Sequence, residues 1–320
     1  MLLSVENVTK RYGDLVAVDH VSFTARPGRI LGLLGPNGAG KTSTIRMIAY
    51  ITVPDAGRVL LDGRPVGPWS QQRMGYLPEE RGLYKKMKVG EQLLYLAELK
   101  GLTRAGARDR IRYWLDRFGA RDWENRKTET LSKGMQQKIQ FIATILHDPD
   151  LVILDEPFGG LDPINADLLQ EVILELKEKG RTILFASHRM EQVEQLCDDI
   201  CLISKGAIVL QGPLREVKRR FGRDTVLLDF EGDDAFLDRL VAEGCVRINV
   251  RSRNHAELRL LDGTPPRRVL EAAMASVDEV SRFEVVEPPM REIFVSVVTR
   301  QQGAAEARAV AVDPLAGGEA

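Results

Sequence analysis

The chain has 320 residues, 44% of them hydrophobic, and its 45 Lys plus Arg nearly balance 46 Asp plus Glu, for a net charge of −1. These values suit one large or two modest domains with an ample core, and they exclude a global basic field of the kind that draws nucleic acid. No apolar run approaches the roughly 20 residues of a membrane span and no signal peptide is evident, so a cytosolic protein is expected, with any membrane work done by another chain.

Met1-Leu2-Leu3 leads directly into a strand pattern. Tyr12, in Lys10-Arg11-Tyr12-Gly13, either packs locally or stacks on an aromatic base. Arg29 to Leu34 reads as a buried strand entering Gly35-Pro36-Asn37-Gly38-Ala39-Gly40-Lys41-Thr42, which fits the phosphate-loop pattern G-x-x-x-x-G-K-[ST]. A helix follows from Ser43 to Tyr50, with Ile45, Ile48 and Ala49 on one face. In this setting successive glycine N–H groups curl around a phosphate. Lys41 brings a cation to the β- and γ-phosphates, and the Thr42 hydroxyl completes a Mg²⁺ shell.

Gly75-Tyr76-Leu77-Pro78-Glu79 ends the next strand, and Arg81-Gly82-Leu83-Tyr84 follows as either a solvated loop or a partner contact. Val89 to Asp148 is helical in character. Leu93, Leu96, Ala97 and Lys100 share one face, and Arg108 to Phe118 form a second amphipathic run. Within this stretch lies Leu131-Ser132-Lys133-Gly134-Met135-Gln136-Gln137-Lys138. Ile139, Ile142, Ala143 and Leu146 after it mark a helix, for which Ser132 is the natural N-cap. The resulting cluster of free N–H groups makes an anion site with no obvious ligand in its own chain.

Leu151-Val152-Ile153-Leu154 is a short apolar strand delivering Asp155, placed to hold Mg²⁺, and Glu156, a candidate general base. Gly160-Leu161-Asp162-Pro163 caps a helix bearing Ile164, Leu168, Val172 and Leu176. Thr182 to Ala186 is a strand carrying Ser187-His188 to its end, where the imidazole either reaches a γ-phosphate or sits in an ordinary loop. The three cysteines, Cys197, Cys201 and Cys245, have no zinc or redox spacing and read as buried free thiols.

A boundary falls near Gly212-Pro213, followed by a helix ending in the basic cluster Lys218-Arg219-Arg220. Beyond it, strands at 225–230, 246–250, 257–261 and 281–286 alternate with helices at 235–242 and 267–275. That β-α-β-β-α-β order suits a small ferredoxin-like α+β domain. His255 stands alone there and reads as a solvated loop residue. Residues 301–320 have few large apolar groups and read as disordered.

Taken together in this order, the motifs resemble those of the nucleotide-binding subunits of ABC transporters, over Met1 to about Pro213. GPNGAGKT looks like their P-loop, LSKGMQQK their signature segment, LVILDEP their second nucleotide motif and GLDP their D-loop. Ser187-His188 resembles their switch histidine and Tyr12 their adenine-stacking aromatic. The resemblance implies an α/β P-loop cassette over residues 1–220, with a mixed sheet core and a helical subdomain at about 85–148, and an accessory domain over 221–300. It further implies an ATPase using ATP and Mg²⁺ in a head-to-tail homodimer. ATP would be bound by Tyr12, Gly35, Pro36, Asn37, Gly38, Ala39, Gly40, Lys41, Thr42 and Ser43. The metal would lie at Thr42, Asp155 and Glu79, and catalysis at Glu156, His188 and Glu79. Ser132, Lys133, Gly134, Met135 and Asp162 would reach the ATP of the other subunit, which supplies the missing anion.

Two departures mark a subgroup. Glu79 stands where the family usually has glutamine, and Lys133 and Met135 depart from the usual LSGGQ. These variants resemble cassettes of the sodium-extrusion and antibiotic-export type, which work with ABC-2-type permeases. The expected contact with such a permease is Arg81, Gly82, Leu83 and Tyr84, at the inner face of the cell membrane. The competing class is a soluble ABC ATPase acting on the ribosome or DNA. It is disfavoured by the single cassette and by the short, globular gap between Lys41 and Asp155.

Overall fold

The computed structural model describes residues 2–80, 82–222, 224–261 and 263–299. Arg81 and the segment 301–320 lie outside them.

Alternating apolar residues open the chain as β1 (Leu3–Tyr12) and β2 (Leu15–Ala25), an antiparallel pair that buries Leu3, Val5, Val21 and Phe23. β3 (Ile30–Leu34) is buried at every position, as a strand covered on both faces must be. The phosphate-loop segment then leads into α1 (Lys41–Ile48). β4 (Ala56–Leu61) and β5 (Arg64–Pro65) complete an antiparallel sheet of order β2-β1-β4-β5. After α2 (Pro68–Gln71) and β6 (Met74–Leu77) the chain becomes helical.

α3 (Val89–Leu99) buries Val89, Leu93 and Ala97, and α4 (Arg104–Arg117) buries Ala107, Ile111, Trp114 and Leu115. α5 (Lys133–Ile145) begins at the Ser132 cap and buries Gln137 to Ile142 together with Thr144 and Ile145. There follow β7 (Leu151–Asp155), α6 (Pro163–Glu178), β8 (Thr182–Ser187), α7 (Met190–Leu196), β9 (Asp199–Ser204), β10 (Ala207–Pro213) and α8 (Leu214–Arg220).

The apolar residues of α6 do not all share its covered face. Val172 and Leu176 are buried, but with Leu169 and Ile173 rather than with the first-turn Ile164, which is 81% exposed. Leu168 is only partly buried. A repeat of apolar residues sets a period, but the face that is covered depends on neighbours brought in from elsewhere in the chain.

The second sheet has the order β10-β9-β3-β8-β7-β6, parallel from β9 through β6 with β10 as an antiparallel edge. Four adjacent strands, β3, β8, β7 and β6, therefore bring their carboxyl ends to one rim. Open parallel sheets bind ligands at that rim.

The chain divides into two compact units after Leu214, at the start of α8; the boundary expected near Gly212-Pro213 lies just before that point, and the cassette limit expected at 220 lies at the other end of the same helix. The second unit contains β11 (Thr225–Gly232), α9 (Ala235–Ala242), β12 (Val246–Ser252), β13 (His255–Leu260), α10 (Pro266–Met274) and β14 (Val277–Val286). Its sheet is antiparallel throughout, in the order β12-β13-β11-β14, the arrangement of a split β-α-β fold. Val226, Leu228 and Phe230 of β11 and Ala256, Leu258 and Leu260 of β13 share a core with Phe236, Leu240 and Val269 of the helices. His255 is not a loop residue: it starts β13, and its Nδ1 is hydrogen-bonded to Asp229. Cys197 and Cys201 are buried, with burial pushing the Cys201 thiol up to about 12, whereas Cys245 is only half-buried.

Candidate functional site

The rim is built from the strand ends inward. β3 ends at Leu34 and the chain turns through Gly35 to Gly40 into α1. Gly40 caps that helix at φ 106°, and a Cβ there would lie 2.4 Å from the Ala17 carbonyl oxygen, so both backbone angle and space call for glycine. Pro36, Asn37 and Gly38 are exposed, Ala39 is buried, and Thr42 and Ser43 are half-buried at the start of α1. Lys41 folds back over the loop, its Nζ donating to the carbonyls of Gly35 (2.7 Å) and Pro36 (3.0 Å). Burial draws the Lys41 pKa down, while Glu156, Asp155 and Glu79 pull it back toward the charged form.

Asp155 closes β7 and is 2% exposed. Burial, then the negative charges of Glu79 and Glu156, push its carboxyl up to about 6 against the opposing Lys41 and Arg46. Its Oδ2 is buried with no hydrogen-bond partner among the described residues. A divalent cation would satisfy that oxygen and lower the cost of the buried charge. Thr42, Glu79 and Asp155 line one cavity of about 950 Å³, which also takes in Tyr12 and Arg46. Among the described residues no cluster of three or more His, Cys, Asp or Glu could hold a metal alone. The donor set therefore fits Mg²⁺, which is commonly held by one or two protein oxygens, substrate phosphates and water.

Glu156 lies one residue past β7 at φ 49°, an uncommon left-handed conformation for a side-chain-bearing residue. Its backbone N–H donates to Ala186 of β8 (3.0 Å). Oε1 accepts from the His188 backbone N–H (2.8 Å) and lies 2.6 Å from His188 Nδ1, and Oε2 accepts from Ser187 Oγ (3.1 Å). Thus His188 engages Glu156 through both its backbone N–H and its ring. A second cavity of about 190 Å³ is lined by Glu79, Gln137, Glu156, Phe158, Gly159 and His188. Glu79 borders both cavities.

Tyr12 ends β1 and is 45% exposed, with Lys10 Nζ 5.8 Å from the ring centroid. Ser132 caps α5, its Oγ accepting from the Met135 N–H (3.3 Å). Lys133 is exposed, and a Cβ on Gly134 would lie 3.0 Å from the Gly160 carbonyl, so the signature helix abuts the loop before Asp162. Asp162 caps α6 by accepting from Asn165 N–H (3.0 Å), which holds its carboxyl below the usual range. Ser132, Lys133, Gly134, Met135 and Asp162 line neither cavity. Gly82 and Leu83 line the larger one, and Tyr84 is exposed, edge-on to Tyr95.

Several contributors escaped the sequence reading. Gln137 donates to Pro157 O (2.8 Å), beside Glu156, and Gln140 bonds the segment around Glu79. The available signal was amide side chains on the apolar face of a helix, where an unpaired polar group is costly.

A family profile described as ABC transporter matches residues 18–159, and one described as ATP-binding protein DrrA1-3-like, C-terminal domain, matches residues 212–298. The ABC transporter ATP-binding protein YhaQ of Bacillus subtilis (strain 168) is 44% identical over 93% of this chain and 98% of its own length. The linearmycin resistance ATP-binding protein LnrL of the same organism is 32% identical over 93% and 99%. The Nod factor export ATP-binding protein I of Ralstonia nicotianae is 37% identical over 73% of each chain. A solved ATP-binding subunit of an ABC transporter superposes with a TM-score of 0.66 at 32% identity, covering 69% of this chain and 94% of that one. The chain belongs to the ATP-binding subunits of ABC transporters, which are ATPases, and it carries a DrrA-like C-terminal domain.

Proposed function

We propose that this subunit hydrolyses ATP in a head-to-tail homodimer to drive export through a separate ABC-2-type permease, from the cytoplasmic face of the membrane. The observation that carries the dimer is the position of the signature segment. It presents the N-terminus of a thirteen-residue helix yet lines neither cavity beside its own P-loop. An anion bound there would come from the ATP of a second copy, contacted by Ser132, Lys133, Gly134, Met135 and, nearby, Asp162. The export reading is supported by the DrrA-like domain and by relatives named for antibiotic resistance and Nod factor export. Among the described residues no helix is long and apolar enough to cross a membrane, so the path for substrate falls to a partner. Gly82, Leu83 and Tyr84, and with them Arg81, are the proposed permease contact.

Tyr12 would stack on adenine and the loop from Gly35 to Ser43 would hold the phosphates. Mg²⁺, held by Thr42, Asp155 and Glu79, would neutralise charge on the β- and γ-phosphates. The γ-phosphate attracts the His188 imidazole, which takes the ring contact off Glu156 Oε1 while the His188 N–H and Ser187 Oγ go on holding the carboxylate in place. Glu156 then takes a proton from water as its oxygen bonds to the γ-phosphorus and the bond to the bridging oxygen of ADP breaks. Loss of the γ-phosphate removes the charge shared by the two subunits and the dimer opens.

Glu156→Gln should accumulate an ATP-bound dimer, seen as a shift in size-exclusion elution that requires ATP, with turnover lowered at least about a hundredfold. Wild-type turnover in that variant would remove Glu156 from the role of base.

A further inference from the structure

Gln140 lies on α5, two turns beyond the Ser132 cap, and is 5% exposed. Its amide nitrogen donates to the carbonyl of Pro78 (3.2 Å) and to that of Glu80 (3.3 Å), the residues on either side of Glu79. An amide NH₂ carries two hydrogens, so one side chain can span both acceptors. Its own Oε1 is buried with no hydrogen-bond partner among the described residues. A leucine or alanine on this apolar face would avoid that unsatisfied oxygen, so the amide brings a cost that its two donated bonds must offset.

The segment it holds has few other anchors among the described residues. Pairing of β6 ends at Leu77 opposite Leu154, and the next fixed point is the Tyr84 N–H on Gln92 Oε1 (2.8 Å). Between them Glu79 borders both the metal-side cavity and the cavity of Glu156 and His188. We propose that Gln140 is a positioning residue, which clamps the backbone on both sides of Glu79 and so aims its carboxylate toward Thr42 and Asp155. This rests on the reading of Glu79 as a metal-side carboxylate. Residues that orient a metal ligand commonly carry a large share of the metal affinity. The helix whose N-terminus is the signature thereby also fixes a carboxylate of the same chain's own P-loop site.

The test uses the full-length chain and a fluorescent ATP analogue, titrated without Mg²⁺ and across a Mg²⁺ series. Gln140→Leu should bind the analogue as wild type does when Mg²⁺ is absent. The Mg²⁺ concentration for half of the metal-dependent tightening should rise roughly tenfold. Gln140→Met, similar in length and without a donor, should do the same and guards against misfolding of the leucine variant. Glu79→Gln should give a comparable rise, and the double variant Glu79→Gln/Gln140→Leu little more, because both act through one carboxylate. If Glu79→Gln shifts the Mg²⁺ requirement and neither Gln140 variant does, the positioning role is wrong while the reading of Glu79 stands. If Glu79→Gln shifts nothing, the reading of Glu79 itself fails and the proposal falls with it. Equal weakening with and without Mg²⁺ in both Gln140 variants would mark a general structural role and overturn the proposal.

Discussion

At the scale of single residues, the site stores unfavourable charge that a ligand would relieve. Asp155 is buried with one unpaired oxygen and titrates near 6, above the ordinary carboxylate value of 3.8. Between about pH 4 and 6 the folded chain therefore holds a proton here that the unfolded chain releases, so this residue lowers stability as pH rises through that window. The cost at neutral pH is about 3 kcal/mol, taken as an upper figure. His147 works in the opposite sense. It is half-buried with Nε2 3.0 Å from the Met74 carbonyl, and desolvation drives its pKa down to about 4 from 6.5, so stability is lost as pH falls through the interval from 6.5 to 4. Between about pH 4 and 6 the two pH dependences oppose each other, while the Asp155 cost at neutral pH is left uncompensated. Asp155→Asn should raise the ligand-free melting temperature at pH 7.5, lose that advantage on acidification toward pH 4, and bind Mg²⁺-ATP more weakly. Thermal melts over a pH series check this, and an unchanged melting temperature at pH 7.5 would show that the buried charge carries no such cost.

At the scale of elements, α5 does three jobs from one helix: its cap faces outward, Gln137 braces Pro157, and Gln140 braces the residues around Glu79. Ser132→Ala removes the cap and should cost about 1 kcal/mol of stability. The helix start retains the Gln136 amide on the Thr128 and Leu131 carbonyls, so the fold should survive. Nucleotide affinity of the isolated chain should stay within about twofold, while turnover falls roughly a hundredfold through loss of a phosphate contact. Parallel binding and steady-state ATPase measurements separate the two, and equal losses would place the signature beside its own P-loop. Local chemistry of this kind was legible in the sequence, because a cap, a glycine loop and a strand running into Asp155-Glu156 depend on neighbours a few residues apart. The contact of Glu156 with His188 was not, since it joins residues 32 apart through the adjacency of β7 and β8. The same limit misassigned His255 to a loop and hid the amides of α5 among apolar neighbours.

At the scale of the whole molecule, a cassette whose signature lines neither of its own cavities calls for a second copy, and that need can be met selectively. In a head-to-tail pair each site would join the P-loop of one chain to the signature of the other. A Lys41→Ala chain has a defective loop and an intact signature; a Ser132→Ala chain has the reverse. Each alone should be nearly inactive. Mixed, they should form heterodimers in which one site inherits both defects and the other inherits neither. With random pairing half of the dimers are mixed and half of their sites intact, so activity should recover to about a quarter of wild type if the sites act independently. Lower recovery, still above either variant alone, would show that the two sites hydrolyse in a coupled fashion. No recovery at any mixing ratio, with both variants folded and dimerising, would require the signature to serve its own chain. The second unit enters the same experiment, because it has a core of its own built from Val226, Leu228, Phe230 and Phe236. If it assists pairing, mixed chains ending at Leu214 should need a higher concentration to reach the same recovery, an effect that a domain indifferent to pairing would not produce.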